Sequence, residues 1–216
     1  PKGLHLATIW LAALGTALSA YFILAANAFM QHPVGYELDP ETGRAVLNDI
    51  GAVLFQNTAV VAFVHTLSAS FLVSGAGVAA VSAWMIMKGR QVDVFRPAAK
   101  LGAWVILVSA VVVSFSGDAD MKIMVDQQPM KVAAAEALYT TQENAPFSIL
   151  SVGDLSGDSA TTIIEIPGML SWLATGNWDG PDSTVQGINN LQAQYLEEYP
   201  QYGPDMNFVP YVPVTY

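Results

Sequence analysis

The 216-residue chain has 12% charged and 53% hydrophobic residues and a mean hydropathy of +0.40, whereas soluble domains carry about 25% charge, which argues against an ordinary soluble enzyme. Its net charge of −10 is concentrated in residues 118–216, which hold thirteen Asp or Glu and two Lys; because such an acidic half repels phosphate groups, no nucleic acid is expected as a partner. Cysteine is absent, which excludes disulfides, thiolate metal sites and cysteine nucleophiles.

Three stretches are long and apolar enough to cross a bilayer, which takes about 20 helical residues. Residues 6–30 contain no charged side chain and are too long for the apolar core of a signal peptide. A second span is predicted at residues 58–87, before a basic Lys-Gly-Arg sequence. A third is predicted at residues 97–117, with Pro97 at its first helical position and Asp118 after its end.

The charges of the loops predict how these spans are oriented, because Lys and Arg near helix ends are retained in the cytoplasm. The loop after the second span carries mostly basic residues and is predicted to be cytoplasmic, whereas the loop after the first span is acidic. We therefore predict an all-α integral membrane fold. Residues 1–117 form three transmembrane helices of a larger helical bundle, and residues 118–216 form an extracytoplasmic, acidic, loop-rich segment with short helices.

Small residues four positions apart occur in the spans and allow helix backbones to approach closely. The pairs are Gly15 with Ser19, Ser70 with Ser74, and Gly75 with Ala79. They indicate helix packing, although Gly and Ala are also simply common in membrane helices. Three helices this rich in small residues are not expected to form a finished bundle alone.

His65 lies about two turns inside the second span, in the sequence FVHTLSASF. An ionisable side chain inside a membrane is costly and usually has a partner. One interpretation is a neutral imidazole hydrogen-bonded to a neighbouring helix. The other is an axial ligand of haem iron, since Ser68, Ala69 and Ser70 leave room for a flat macrocycle. Spacing leaves both open, and a second axial ligand would have to come from elsewhere.

The acidic segment begins with a predicted short helix. Pro129 suits the first helical position, and residues 130–139 contain four Ala and no helix breaker. Lys131 and Glu136 are five positions apart, which is not a standard surface pair. They belong either to a solvated charged helix or to a site whose ligand they face from two sides. If Glu136 is buried, its pKa would be raised, which suits a proton acceptor near neutral pH.

The order of several motifs is similar to that in subunit I of the cytochrome bd quinol oxidases. ANAFMQHPVG follows the first span, FVHTLSASF lies in the second, and QQPMKVAAAEA follows the third. The resemblance covers nearly the whole chain and is most specific at residues 128–131 with Glu136, and less so at His65 and at residues 163–167. The acidic segment of residues 118–216 is short, and in this it resembles the Q-loop of the family's short-Q-loop branch. We expect the chain to be the central portion of a longer subunit.

The resemblance implies roles for four residues. His65 matches the family's axial ligand of the low-spin haem b near the outer face. Lys131 and Glu136 match residues of the external Q-loop, so Glu136 would accept a hydroxyl proton of quinol and Lys131 would pair with a quinone oxygen. Ser19 resembles a serine of the family's proton route. A further haem b and haem d are implied, and their ligands, like the Met that completes low-spin ligation, would lie on other helices.

The implied function is that of a quinol:oxygen oxidoreductase subunit, a respiratory terminal oxidase in the bacterial inner membrane. Quinol would be oxidised at the outer face, and electrons would pass through haem b to an oxygen-reducing haem site. Implied partners are membrane lipid, the remaining helices of the same subunit, a second oxidase subunit and small accessory subunits. From the residues alone two other functions stay open: a non-enzymatic three-span anchor that presents an acidic binding domain, and a haem-b electron-transfer subunit without oxygen reduction.

Overall fold

The computed structural model describes residues 1–154, 159–209 and 214–215, which form two compact units, Pro1–Asp120 and Met121–Tyr216. The first unit contains α1 (Lys2–Gln31), β1 (Tyr36–Leu38), β2 (Ala45–Leu47), α2 (Ile50–Phe55), α3 (Asn57–Met87) and most of α4 (Val92–Gln127). After the last turns of α4, the second contains α5 (Pro129–Ala135), β3 (Phe147–Gly153), β4 (Ala160–Ile166), α6 (Met169–Thr175), α7 (Ile188–Glu198) and β5 (Val214–Thr215), with 3-10 turns at Pro181–Ser183 and Pro200–Tyr202.

The helices α1, α3 and α4 are the three described helices long and apolar enough to cross a membrane. They contain 30, 31 and 36 residues. At about 1.5 Å per residue each exceeds the roughly 30 Å of a bilayer's hydrocarbon core. The predicted helical membrane fold with three spanning helices is confirmed.

Both ends of α4 differ from the predicted span of residues 97–117, because the helix begins at Val92 and continues past Asp118 to Gln127. Pro97 lies inside the helix, which begins at Val92, so its placement at the first helical position is wrong. The carbonyl of Gln91 accepts a hydrogen bond from the backbone N–H of Val94, and Asp93 places a negative charge at the positive end of the helix dipole. The helix therefore starts before Pro97. Because proline has no backbone N–H, Pro97 removes only one hydrogen bond, the one to the carbonyl of Asp93 in the first turn.

Alanines bring α1 and α3 together. Ala25 and Ala28 of α1 and Ala59 of α3 are buried and form one apolar cluster, against which Leu54 packs. The hydroxyl of Tyr21 donates a hydrogen bond to the carbonyl of Leu54 over 2.6 Å. The short helix α2 is thereby held against the end of the α1–α3 pair.

Glycines bring α3 and α4 together. A Cβ atom at Gly102 would lie 2.9 Å from the backbone nitrogen of Ala79 and 2.9 Å from the carbonyl oxygen of Gly75. The predicted packing face at Gly75 and Ala79 is thus present. At Gly15, by contrast, an added Cβ would meet no atom of the described chain within 4 Å.

Much of the apolar surface of the spanning helices is not covered by this chain. Only 6% of the most apolar stretch of α1 is buried, and 11% in α3 and α4. Leu11, Val73 and Phe115 remain 69%, 71% and 74% exposed. The three helices therefore offer apolar faces to lipid or to further helices, as expected for part of a larger bundle.

The second unit contains short helices, as predicted, and also an antiparallel sheet of order β4-β3-β5 that was not predicted. Strands β3 and β4 are rich in Ile, Val and Thr, which favour extended backbone. The largely apolar stretch of residues 163–174 is divided by Pro167 and Gly168 into the end of β4 and helix α6. Gly168 has a φ of +67°, and a Cβ there would clash with the side chain of Asn144.

We expect Gly102→Ala to lower the thermal unfolding midpoint of the purified protein in detergent. The new methyl group would force the backbones of α3 and α4 apart, and overpacking of this kind costs about 1–3 kcal/mol. Gly77→Ala on α3 is the matched control, because a Cβ there meets no described atom within 4 Å. Equal midpoints for Gly102→Ala and wild type would contradict a tight α3–α4 crossing.

Candidate functional site

Helix α5 positions the first candidate residue. It begins at Pro129, as predicted, but it ends at Ala135, so the predicted helical run to residue 139 is wrong. Ala137 adopts left-handed backbone with a φ of +51°. The helix is closed by hydrogen bonds from the N–H of Ala137 to the carbonyl of Ala134 (3.2 Å) and from the N–H of Leu138 to the carbonyl of Ala133 (2.8 Å). This pattern is a Schellman motif, with buried Leu138 as its hydrophobic residue.

Glu136 occupies the C-cap position of α5 and is half-buried. Burial raises the pKa of its carboxyl group to about 7, and a hydrogen bond from the backbone N–H of Ser148 to Oε2, over 2.8 Å, opposes that rise. At neutral pH the group is therefore shared between its ionised and protonated forms. This matches the raised pKa expected for a buried Glu136.

Glu136 borders a cavity of about 450 Å³ in the second unit, within the size range of sites for small organic ligands. The cavity lies between the end of α5, the segment that follows it, and strands β3 and β4. Polar side chains in its lining include Glu136, Tyr139, Gln142, Asn144, Thr162 and Glu165. A polar head group could be held here by hydrogen bonds on several sides.

The sheet brings a second carboxyl group to this cavity. Glu165 of β4 pairs with Ser148 of β3, the residue whose N–H binds Glu136. Buried hydroxyl groups continue along the same wall, with Ser148 Oγ 2.6 Å from Ser151 Oγ, which donates to Thr162 Oγ1 over 3.0 Å. Glu165 received no role in the sequence analysis, although a charged residue within the apolar run at residues 163–166 was a signal that could have identified it.

The structure does not bring Lys131 to the same cavity. Lys131 lies on the exposed side of α5, and it is not among the described residues that line the cavity beside Glu136. The five-residue separation places the two side chains on different sides of the helix. A shared site for both residues remains a proposal.

His65 is half-buried in α3, where its Nδ1 lies 3.2 Å from Ser116 Oγ of α4. The Ser116 hydroxyl lies 2.7 Å from the carbonyl of Val112, and donation along this shorter contact favours the tautomer in which Nδ1–H of His65 donates to the serine oxygen. In this tautomer Nε2 carries the lone pair. His65 is therefore hydrogen-bonded to a neighbouring helix and also has the nitrogen that a haem iron requires.

The remaining sequence candidates have less defined surroundings. Ser19 is exposed on α1. Among the residues that the structure describes, no group of three or more His, Asp or Glu side chains could hold a metal ion. A single imidazole such as His65 would suit a haem, because the porphyrin ring itself supplies the in-plane donors of the iron.

Three spanning helices followed by a unit with a carboxylate-bearing cavity define the chain as a helical membrane subunit. The sequence profile of the family described as cytochrome bd terminal oxidase subunit I matches residues 1–216. The chain belongs to this family, as the resemblance of its motifs predicted.

Individual relatives agree with this assignment. Cytochrome bd ubiquinol oxidase subunit 1 of Bacillus subtilis is 34% identical over 92% of this chain and 42% of its own length. Cytochrome bd-II ubiquinol oxidase subunit 1 of Escherichia coli is 32% identical over 91% of this chain and 37% of its own length. The solved structure of bd oxidase from Geobacillus thermodenitrificans matches with a TM-score of 0.71 and 31% identity, over 88% of this chain and 43% of that one. The chain thus spans less than half the length of these relatives.

Proposed function

We propose that this chain is part of a membrane quinol:oxygen oxidoreductase and supplies its quinol-oxidising site. The observation that carries the proposal is the half-buried carboxyl group of Glu136 at a cavity large enough for a quinol head group, in a member of this family. Haem b and an oxygen-reducing haem site, when bound, would supply the chemistry that takes the electrons of quinol to oxygen. The names of the Bacillus and Escherichia relatives, both ubiquinol oxidase subunits, support the substrate class.

Oxidation of a quinol to a quinone releases two electrons and two protons, so the site needs a proton acceptor. Ionised Glu136 takes a hydroxyl proton, and a base whose pKa lies near the working pH does this most effectively. The backbone N–H of Ser148 holds Oε2 and orients the carboxyl group. Lys131 lies outside the lining of this cavity, and its role as a hydrogen-bond donor or charge partner to a quinone oxygen is proposed on the family resemblance alone.

His65 would hold the iron of low-spin haem b through Nε2, while Ser116 holds Nδ1. When bound, the haem accepts and passes on single electrons. The second axial ligand, and the ligands of a further haem b and of haem d, belong to other helices of the same subunit. Ser19 is proposed, on the family resemblance alone, for a proton route.

The exposed apolar faces of α1, α3 and α4 support packing against lipid, the remaining helices of the subunit, a second oxidase subunit and small accessory subunits. The membrane is the bacterial inner membrane. Residues 118–216 lie outside the cytoplasm, because the loop between α3 and α4 carries Lys88 and Arg90 beside the end of a span.

The orientation predicts that alkaline phosphatase fused after Gly203 is active in intact cells, because this reporter folds only outside the cytoplasm. Fusion in the basic loop, after Gly89, is the matched control and should give an inactive reporter. The reverse pattern would place the Glu136 cavity in the cytoplasm and exclude an outer quinol site.

His65→Ala should remove the low-spin haem b signal from the reduced-minus-oxidised spectrum, because the iron loses an axial ligand. Immunodetection in membranes checks that the variant protein is still inserted. Ser70→Ala, one turn further along α3, keeps His65 intact and should retain the signal. An unchanged haem b signal in His65→Ala would overturn the ligand assignment.

Glu136→Gln should lower quinol oxidation strongly, since loss of a positioned general base costs about 10²- to 10⁴-fold in rate. In wild type, kcat/KM should fall as the pH drops below about 7, because protonation removes the base. Glu197→Gln, an exposed carboxylate of α7, is the matched control and should leave the rate unchanged. Steady-state oxygen consumption with quinol measures these effects.

Two further measurements separate the site from general damage. An artificial donor that reduces haem b directly should support normal oxygen consumption in Glu136→Gln. Lys131→Met should mainly raise KM, as expected for loss of uniform binding. If quinol turnover survives both substitutions, α5 is a solvated helix and the site lies elsewhere.

A further inference from the structure

We propose that Ser116 is a positioning residue for His65: its hydroxyl oxygen fixes the imidazole tautomer and ring orientation, and Gly117 provides the clearance that the ring needs. This inference rests on the proposed ligation of haem b by His65. It concerns a different helix, α4, and it assigns a role to side-chain and backbone features that lie outside the motifs that identify the family.

The hydrogen bonds of Ser116 determine its role. Ser116 is only 9% exposed, and its Oγ lies 2.7 Å from the carbonyl oxygen of Val112, 3.2 Å from that of Val113 and 3.2 Å from Nδ1 of His65. A hydroxyl group has one hydrogen, which the helix carbonyls take. The oxygen must therefore accept from Nδ1–H of His65, and Nε2 is left unprotonated.

Gly117 controls the position of the ring itself. A Cβ atom at Gly117 would lie 3.2 Å from Cε1 of His65, closer than most Cβ contacts, and 3.5 Å from its Nδ1, which is an ordinary contact distance. Because Cε1 lies between the two ring nitrogens, displacing it would redirect Nε2. The absence of a side chain at Gly117 thus allows the ring to lie against the backbone of α4.

The hydrogen bond has a chemical consequence for a bound iron. A partner on the second ring nitrogen makes imidazole a better electron donor and orients it, which stabilises the more highly charged ferric state. Removing the acceptor should therefore favour the ferrous state and raise the midpoint potential of haem b. A residue that only filled space would not move this potential in a fixed direction.

The test compares Ser116→Ala with Ser116→Thr and Ser114→Ala in the assembled oxidase complex. Thr retains the hydroxyl group, and the exposed Ser114 bonds only to the carbonyl of Ala110 in the described contacts, so both are controls. The measurements are haem b content and the redox midpoint of the low-spin haem. We expect Ser116→Ala to keep its haem and to shift the ferric/ferrous equilibrium about tenfold toward the ferrous state, which raises the midpoint potential by about 59 mV for a one-electron couple.

The outcomes separate this inference from the ligand assignment. A wild-type midpoint in Ser116→Ala would overturn the role of Ser116, whatever the result for His65. Haem b that persists in His65→Ala would instead overturn the proposed ligation. Loss of haem in Ser116→Ala with retention in Ser116→Thr would support the hydroxyl group as the positioning element, and loss in both would show that packing alone matters.

Discussion

A polar group removed from water must find a partner within the protein, and this constraint shapes both units of the molecule. In the spanning helices the hydroxyl groups of Ser70, Ser74 and Ser114 each donate to a carbonyl four residues earlier in their own helix. His65 instead uses a hydroxyl group of the adjacent helix. In the second unit the single N–H of Ser148 only partly offsets the burial of Glu136, so that carboxyl group retains a raised pKa. A polar group whose hydrogen-bonding capacity is fully used has a structural role. A group whose capacity is only partly used can still react.

The contact between His65 and Ser116 depends on small residues elsewhere in the same helix pair. Gly75 and Gly102 let α3 and α4 approach until backbone atoms meet. Gly117 continues that approach about three to four turns away, where the imidazole ring is inserted. Without such close helices the 3.2 Å contact between a histidine and a short serine side chain could not form. Close packing and the tautomer of His65 are therefore parts of one arrangement.

The features that follow from local sequence were predictable, and those that depend on distant pairing were not. Hydropathy identified the spans, and Pro129 marked the start of α5. The end of α5 was missed because Ala137, without glycine's freedom, still adopts left-handed backbone. The pairing of β3 with β5 was missed because β5 lies far along the chain. The β3–β4 hairpin was missed although its Ile, Val and Thr residues favour strands, because a short apolar run does not by itself distinguish a strand from a helix.

The candidate residues show the same division. His65 and Glu136 stood out as an ionisable group in an apolar span and as an acid among alanines. Their partners Ser116 and Ser148 were not identified, since nothing in the local sequence distinguishes these serines from others. Only the tertiary fold brings them to His65 and Glu136. The spacing of Lys131 and Glu136 in the sequence specified the angle between their side chains around a helix. It did not specify which side of the helix would face a cavity.

Glu136 is the C-cap residue of α5, so the length of that helix determines where the carboxyl group lies. Each added or removed residue between Pro129 and Glu136 would turn the carboxyl group by about 100° around the helix axis and move it along by about 1.5 Å. A single insertion would thus carry the acid away from Ser148 while leaving the composition and hydropathy of the chain almost unchanged. Glu136 follows Pro129 by seven residues. A substitution between them leaves the position of Glu136 along α5 unchanged, whereas an insertion or a deletion shifts it.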